Sequence, residues 1–420
     1  MGMTMSEKIL ARASKNSKVS AGDIIWANID KAMMDDILGP RLEIAEKLEQ
    51  LNLKIWDKDR VIVISDHYTP PANAKQAEIV KFTREWSEQN GINNYYEFEG
   101  PCHQLMVEKG HVYPGEVIVG TDSHTCTYGA LGSFGTGIGS TEMIGVLATG
   151  QTWLRVPQTI KVNWTGKLAS GVMAKDMSLK TIGTIGHAGA TYKTIEYLGD
   201  GIKNLIMDER LAIANMAVEA GAKAGLMEFD EITREYLSAF GEVADYSYIN
   251  PDADAEYFSE YNFNANELVP QVSCPHEVDN VSDVMDIKNK KIHQAYIGSC
   301  TGGRYYDFKI AAEVLKGKRI AKGIRLLISP ASKAIYDRCL KEGLLEILSD
   351  AGATILASSC GACLGIHSGA IAAGEVCISS TNRNFLGRMG STKSEVFLGS
   401  PATVAASAIT GFITDPREFI

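Results

Sequence analysis

Short runs of β-branched residues alternate with helix-patterned stretches along most of this chain. That alternation confines it to the α/β class, with largely parallel sheets. Strand candidates are Arg60–Ser65, Glu116–Gly120, Thr159–Trp164, His293–Gly298, Arg325–Ser329, Thr354–Ala357, Glu375–Ser379 and Glu395–Leu398. Helical stretches with apolar spacing follow several of them, for example Phe308–Lys316 and Lys333–Ala351. The unusual residues sit where the runs end: Asp66-His67 after the first, Asp122-Ser123-His124 after the second, Cys300 after the fourth and Cys360 after the sixth. Open parallel sheets bind ligands just outside the carboxyl ends of their strands, so these loops suggest one shared site. Any single loop can collect polar residues simply because it meets solvent.

At 420 residues and 45% hydrophobic content, the chain should divide into more than one core. A helical stretch gives way to a new strand around Val156-Pro157-Gln158, and the segment Asp252–Asp283 reads as irregular, rich in acidic and aromatic residues. Three α/β blocks are expected: 1–158, 159–283 and 284–420. The net charge of −10, without a polybasic run, argues against nucleic acid as a partner. No segment approaches the roughly 20 apolar residues of a membrane helix. Met1 to Lys8 has no apolar secretory core, and the formal myristoylation pattern at Met1–Ser6 lacks a second membrane signal, so the expected location is cytoplasmic.

Eight cysteines, at 102, 126, 274, 300, 339, 360, 363 and 377, are too sparse for a disulfide scaffold. Cys300 lies in Ile297-Gly298-Ser299-Cys300-Thr301-Gly302-Gly303, a strand running into a glycine-rich turn. Cys360-Gly361-Ala362-Cys363 follows another strand, and its spacing lets two thiolates reach one metal centre. A structural zinc completed by His367, a redox dithiol, an iron–sulfur cluster and inert buried thiols all fit this spacing, which does not choose among them.

Five motifs in order carry a resemblance that does choose. They are Gly-Thr-Asp-Ser-His-Thr at 120–125, the glycine-rich run at 132–140, Ile-Gly-Ser-Cys-Thr at 297–301, Cys-Gly-Ala-Cys-Leu-Gly at 360–365 and Thr-Asn-Arg-Asn-Phe-Leu-Gly-Arg at 381–388. Together they resemble the aconitase superfamily and, within it, the large subunits of 3-isopropylmalate dehydratases and their near relatives. The resemblance covers nearly the whole chain. It implies a three-domain core of mostly parallel sheets, with helices on both faces and no swivelling fourth domain. It also implies one [4Fe–4S] cluster per subunit, with Cys300, Cys360 and Cys363 as ligands to three irons and the fourth iron left open as a Lewis acid. The implied activity is that of a hydro-lyase on a hydroxy-dicarboxylate.

Dehydration needs paired acid and base groups near the metal. By the resemblance, His67 oriented by Asp66 is the acid toward the leaving hydroxyl, while His103, Asp122, His124, Glu219 and Asn215 surround the iron-bound water. Ser123, Asn382, Arg383 and Arg388 would hold the substrate, since arginine pairs bidentately with carboxylates and keeps its charge. The other histidines, at 111, 187, 276, 293 and 367, and the other cysteines read as ordinary structural residues, the thiols semi-buried. The run Gly135-Thr136-Gly137-Ile138-Gly139 lacks dinucleotide-site spacing and is expected to pack closely beside the His124 loop.

The superfamily's α-proton base is a serine in a Ser-Ser-Arg motif on the swivelling domain. Neither Ser358-Ser359-Cys360 nor Ser379-Ser380-Thr381 supplies it here. The resemblance therefore implies a separate small subunit that carries that domain and that serine. Substrate candidates are 3-isopropylmalate, homocitrate and homoaconitate, and 2,3-dimethylmalate. A colourless zinc-binding structural protein is the alternative of another class. Asp35, Leu38 and Gly302 stand where relatives more often have Asn or His, Thr, and Asn.

Overall fold

The computed structural model describes residues 2–287 and 289–420. Strand β1 (Ile24–Asn28) precedes a sheet of β2 (Lys31–Asp35), β3 (Val61–Ser65), β4 (Tyr95–Glu97), β5 (Val117–Gly120) and β6 (Phe134–Gly137). These five are parallel, in the order β4-β3-β2-β5-β6. Strand β7 (Gln151–Arg155) returns to pair antiparallel with β1. The second sheet holds β8 (Gln158–Thr165), β9 (Lys193–Leu198), β10 (Ala224–Met227) and β11 (Ser259–Asn264), parallel in the order β10-β9-β8-β11. The third contains β12 (Gln271–Ser273), β13 (Val281–Asp283), β14 (Gln294–Gly298), β15 (Arg325–Ser329), β16 (Thr354–Ile355), β17 (Val376–Ser379) and β18 (Glu395–Leu398). Its order is β13-β12-β18-β17-β14-β15-β16, with β14 to β18 parallel and β12 and β13 forming an antiparallel edge.

Val61-Ile62-Val63-Ile64-Ser65 is buried at every position, as are β5 and β14. A continuous apolar run, rather than alternation, is what a parallel strand covered on both faces requires. Each such valine or isoleucine contributes about 1.5–3 kcal/mol by leaving water. All eight strands read from the sequence are present, although β16 ends two residues early. The expected helix Lys333–Ala351 is two, Lys333–Lys341 and Leu344–Ala351, because Gly343 takes φ +75° and turns the chain between them.

The segment 252–283 is not irregular throughout, as its composition suggested. It supplies β11, β12 and β13, so the third sheet begins ahead of the break expected after 283. Strand β11 escaped notice because it lies at a sheet edge, where Ser-Glu-Tyr-Asn-Phe-Asn alternates between half-buried and exposed positions and shows no apolar run.

The winding of the sheets places the site. In the first sheet the chain steps from β2 out to β3 and β4, then returns to the other side of β2 for β5 and β6. In the third it steps from β14 to β15 and β16, then returns to the other side of β14 for β17 and β18. Where neighbouring connections diverge, between β2 and β5 and between β14 and β17, a crevice opens at the carboxyl ends of the strands. The loops from these two crevices meet: Cys360 donates its backbone N–H to the Asp66 carbonyl at 3.2 Å.

Candidate active site

The first sheet sends three loops into the crevice. Asp35 and Asp36 end β2, Asp66-His67 follows β3, and Asp122-Ser123-His124 follows β5. Asp122 caps the helical turn Ser123–Leu131 by accepting the His124 backbone N–H at 2.7 Å. Strand β6 presses on this turn through glycine. A Cβ at Gly135 would lie 2.2 Å from the Thr125 carbonyl oxygen, and one at Gly137 would lie 2.9 Å from that of Asp122. The glycine-rich run thus packs against the His124 loop.

The third sheet supplies the thiols. Ser299 takes φ +71°, a conformation costly for a residue with a side chain, directly after β14 and directly before Cys300. Cys360 and Cys363 follow β16, and Asn382, Arg383 and Arg388 follow β17. From the second sheet come Asn215, which ends the helix Met207–Asn215, and Glu219 in the turn Met216–Ala220.

These loops enclose a cavity of about 610 Å³, within the usual range for small-molecule sites. His67, His103, Asp122, Ser123, His124, Cys300, Cys360, Cys363, Asn382, Arg383 and Arg388 all line it. Ile37, Leu38, Ile138, Val218 and Leu364 add apolar wall, and Asp35, Glu142 and Lys223 add charge. Asp66, Asn215 and Glu219 stand one layer back. The wholly buried Asn215 amide donates to Thr127 Oγ1 at 2.8 Å and to Cys300 Sγ at 3.3 Å. Its carbonyl accepts from Thr301 Oγ1 at 2.9 Å and from Asn382 Nδ2 at 2.8 Å, so Asn215 braces the wall rather than forming it.

Two polar chains run behind the wall. In the first, His67 Nδ1 lies 2.8 Å from Asp66 Oδ1, while Asp66 Oδ2 accepts the Cys102 backbone N–H at 2.6 Å. Asp36 accepts the backbone N–H of both His67, at 3.0 Å, and Tyr68, at 3.1 Å, and lies 3.3 Å from His67 Nδ1. In the second chain, His103 Nε2 lies 2.8 Å from Asp122 Oδ1 and His124 Nε2 lies 2.7 Å from Glu219 Oε1. Arg383 Nε donates to both Glu219 oxygens, at 2.8 and 3.0 Å, and Arg383 Nη2 donates to Ser123 Oγ at 2.9 Å.

Burial pulls the His67 imidazolium toward neutrality, but the Asp66 carboxylate and the bonds from Asp36 and Asp66 overcome it and hold the pKa well above its ordinary value. Burial likewise opposes ionisation of Asp66, Asp122 and Glu219. Their histidine neighbours, with Arg383 beside Glu219, keep all three below the usual carboxylate range. Asp35 goes the other way, pushed up to about 6 by burial and by the nearby Asp122 and Asp66 carboxylates. The site therefore places a charged His67 imidazole and carboxylates held ionised beside two further imidazoles around one cavity, an arrangement suited to acid–base work.

Burial also pushes the Cys300 thiol up to about 11 and Cys360 well above its ordinary value, so both keep their protons until a metal displaces them. Among the described residues, four groups of three ligand-type side chains bring their ligand atoms within 4.8 Å of one another, and the three cavity cysteines do not form one. A single tetrahedral zinc, with Zn–S near 2.3 Å, would draw its sulfurs to about 3.8 Å apart. The all-sulfur donor set around an open cavity therefore fits a larger, multi-iron group better than one ion. His367 does not line the cavity, nor do His111, His187, His276 or His293. His111 instead bonds Tyr96 at 2.7 Å, and His293 accepts the Val376 N–H at 3.0 Å. Of the remaining cysteines, Cys102, Cys126, Cys339 and Cys377 are fully buried rather than semi-buried, and Cys274 is half-buried.

Sequence reasoning missed Asp36, the second carboxylate on His67, because β2, Lys-Ala-Met-Met-Asp, has no β-branched residue to mark it as a strand. The rule that finds ligand residues after strands would have found it once β2 was assigned. It also passed over two buried cations beside the thiol loops, Lys175 and Arg304.

Comparison with known proteins identifies the family. The family model described as aconitase family (aconitate hydratase) matches residues 7–411. The chain is 50% identical to 3-isopropylmalate dehydratase large subunit 1 of Methanopyrus kandleri, over 422 residues and all of both chains. It is 46% identical to large subunit 2 of Archaeoglobus fulgidus, again over all of both chains. Among solved structures, Thermococcus kodakaraensis aconitase X in its holo-form superposes with a TM-score of 0.51 at 14% identity, covering 99% of this chain and 97% of that one, a likeness of fold alone. With its strand-end loops gathered on one cavity and a family match along nearly its whole length, the chain belongs to the aconitase family.

Proposed function

We propose that this chain is the large, cluster-bearing subunit of a hydro-lyase that isomerises 3-isopropylmalate by dehydration and rehydration. The observation that carries the reading is the convergence of three buried thiols and two histidine–carboxylate chains on one cavity. Cys300, Cys360 and Cys363 would hold three irons of a [4Fe–4S] cluster. When bound, that cluster supplies a Lewis-acidic iron that polarises the substrate hydroxyl.

His67, kept protonated by Asp66 and Asp36, donates the proton that the departing hydroxyl needs. Asp122 and Glu219 fix the orientation of His103 and His124 toward water in the cavity. Arg383 is already held by Glu219, whereas the Arg388 Nε–H is buried without a partner, which leaves Arg388 a donor to offer a carboxylate. The apolar wall of Ile37, Leu38, Ile138, Val218 and Leu364 suits a substrate with a branched alkyl group. The relatives bear the name of the isopropylmalate enzyme over their full lengths, which supports that substrate over homocitrate, homoaconitate or 2,3-dimethylmalate.

The base that removes the α-proton comes from a separate small subunit, as the relatives' designation "large subunit" suggests. No helix among the described residues is long and apolar enough to cross a membrane, and the reading places the enzyme in the cytoplasm. Anaerobic co-expression with a small-subunit candidate, followed by assays on each of these acids, tests the proposal. A brown heteromer active on 3-isopropylmalate is expected. A colourless, zinc-containing protein inactive on every acid would refute it.

A further inference from the structure

Two cations lie inside the protein beside the thiol loops, without a carboxylate in ion-pair contact with either among the described residues. Arg304 is 0% exposed and Lys175 is 3% exposed. The Arg304 guanidinium donates through Nε to Gln104 Oε1 at 3.0 Å and through Nη1 to the Thr301 carbonyl at 3.4 Å, while Nη2 is buried with no partner. Lys175 Nζ donates to the Thr381 carbonyl at 2.6 Å and lies 3.3 Å from Met216 Sδ. Among the described residues neither cation has an ion-pair partner within 4 Å. The nearby acids are committed elsewhere: Asp307 accepts the Arg304 backbone N–H at 2.9 Å, and Glu219 is held by His124 and Arg383.

Burying a cation against neutral dipoles alone is costly, and proteins keep such a charge only where an anion answers it. Both cations bracket the thiols. Thr301 follows Cys300, and Thr381 precedes Asn382, whose amide contacts Cys363 Sγ at 3.3 Å and Cys300 Sγ at 3.9 Å. Burial lowers Lys175 to about 8, and Glu219 first, then Cys363, Asp307 and Cys300, work to keep it charged. Three thiolates outweigh the charge of an oxidised four-iron core, so a loaded site is anionic.

We propose that Arg304 and Lys175 are the counter-charges of that cluster, positioning residues that retain it and set its reduction potential without touching substrate. The inference rests on the cluster reading above. Removing either cation disfavours the electron that reduction adds, because net charge around a cluster sets its potential.

The test uses the full chain, loaded anaerobically with iron and sulfide and titrated by visible and electron-spin spectra. In Lys175→Met and Arg304→Met the reduced-to-oxidised ratio at fixed potential should fall at least tenfold, about 59 mV for one electron. The cluster should also be lost faster in air. Lys175→Arg and Arg304→Lys should keep the native potential. In the cluster-free chain the methionine variants should melt no lower than the unsubstituted protein, since each removes a buried charge that has no ion-pair contact. A merely structural cation would lower that melting temperature and leave the potential alone, and this result would overturn the inference. Should the methionine variants fail to fold, Lys175→Gln and Arg304→Gln carry the same expectation. An intact cluster whose potential moves in none of the charge-removing variants overturns this inference alone. A native chain that takes up no cluster overturns the cluster reading as well.

Discussion

Gly135→Ala offers a sharp test of whether the His124 loop is held in place by backbone contact with β6. The added methyl would sit 2.2 Å from the Thr125 carbonyl oxygen and 3.1 Å from Tyr128 Cδ2, where contacts under 3.0 Å are not tolerated. Relief requires a movement of about 0.8 Å, and the oxygen in the way is main chain, which cannot swing aside as a flexible side chain would. Overpacking of this kind costs about 1–3 kcal/mol. The displaced residue follows His124, whose Nε2 lies 2.7 Å from Glu219 and whose backbone N–H reaches Asp122 at 2.7 Å. A misplacement near 1 Å is enough to reduce turnover by about 10²-fold. The expected result is therefore a loss of that order in kcat/KM, a lowered melting temperature and unchanged iron content, because the cysteine loops belong to the third sheet. Gly145→Ala is the control. Gly145 lies in the helix Ser140–Thr149 with nothing within 4 Å of the added methyl, so it should gain about 0.5–1 kcal/mol and keep full activity. Activity of Gly135→Ala within twofold of the native enzyme would refute the reasoning.

Three further outcomes follow from the site. Cys363→Ser should abolish the visible cluster absorbance and the dehydratase activity together, and full retention of both would show that another residue holds the third iron. Arg388→Lys should raise KM by roughly tenfold or more, because a lysine cannot reproduce the planar fork, and should leave iron content intact. Loss of iron would instead assign Arg388, whose Nη2 is 3.6 Å from Cys363 Sγ, to cluster retention. Asp66→Asn should lower kcat/KM by about 10² or more and move the alkaline limb of its pH profile toward acid, since Asp66 is the largest of the influences that raise His67. The sign for stability is the same. A raised histidine pKa stabilises fully below the unfolded value and ceases to do so as pH climbs through the folded value, so the melting difference between Asp66→Asn and the native chain should narrow in alkali. An unshifted alkaline limb would remove His67 as the acid.

Much of this architecture was legible because central parallel strands are covered on both faces and write themselves as unbroken apolar runs. Arg325–Ser329 and Glu395–Leu398 stand in the structure as the sequence pattern predicts them, and Arg60–Ser65 differs only in starting at Val61. Edge strands lack that signature, and β11 reads as polar linker until its parallel pairing with β8 is seen. Lys31–Asp35 is hidden differently: with five residues, two of them methionine, it gives too little β-branched signal, and Asp36 at its end went unnoticed with it. The cavity cysteines and histidines drew attention as unusual residue types at strand ends, and the family resemblance then singled them out from the other cysteines and histidines. Arg304 and Lys175 drew none, since arginine and lysine are ordinary on a surface and only their burial makes them unusual.

What the sequence conceals most completely is which strand ends face one another. The second sheet winds as the first and third do, with β8 stepping to β9 and β10 before the chain returns to the other side of β8 for β11. This shared winding leaves no repeat in the residues, because parallel sheets specify burial and period rather than identity. One consequence is that His67 and Cys360, nearly 300 positions apart, are neighbours by virtue of a few main-chain and carboxylate contacts: the Asp66 carbonyl accepts from Cys360 N, and Asp66 Oδ2 accepts from Cys102 N. The same residue thus orients the imidazole through one carboxylate oxygen, anchors a helix with the other and fixes the cysteine loop through its backbone. His67 and the thiol loop therefore share one aspartate, and a substitution at Asp66 should disturb the imidazole through its side chain while leaving the sheet-to-sheet register, a main-chain contact, in place.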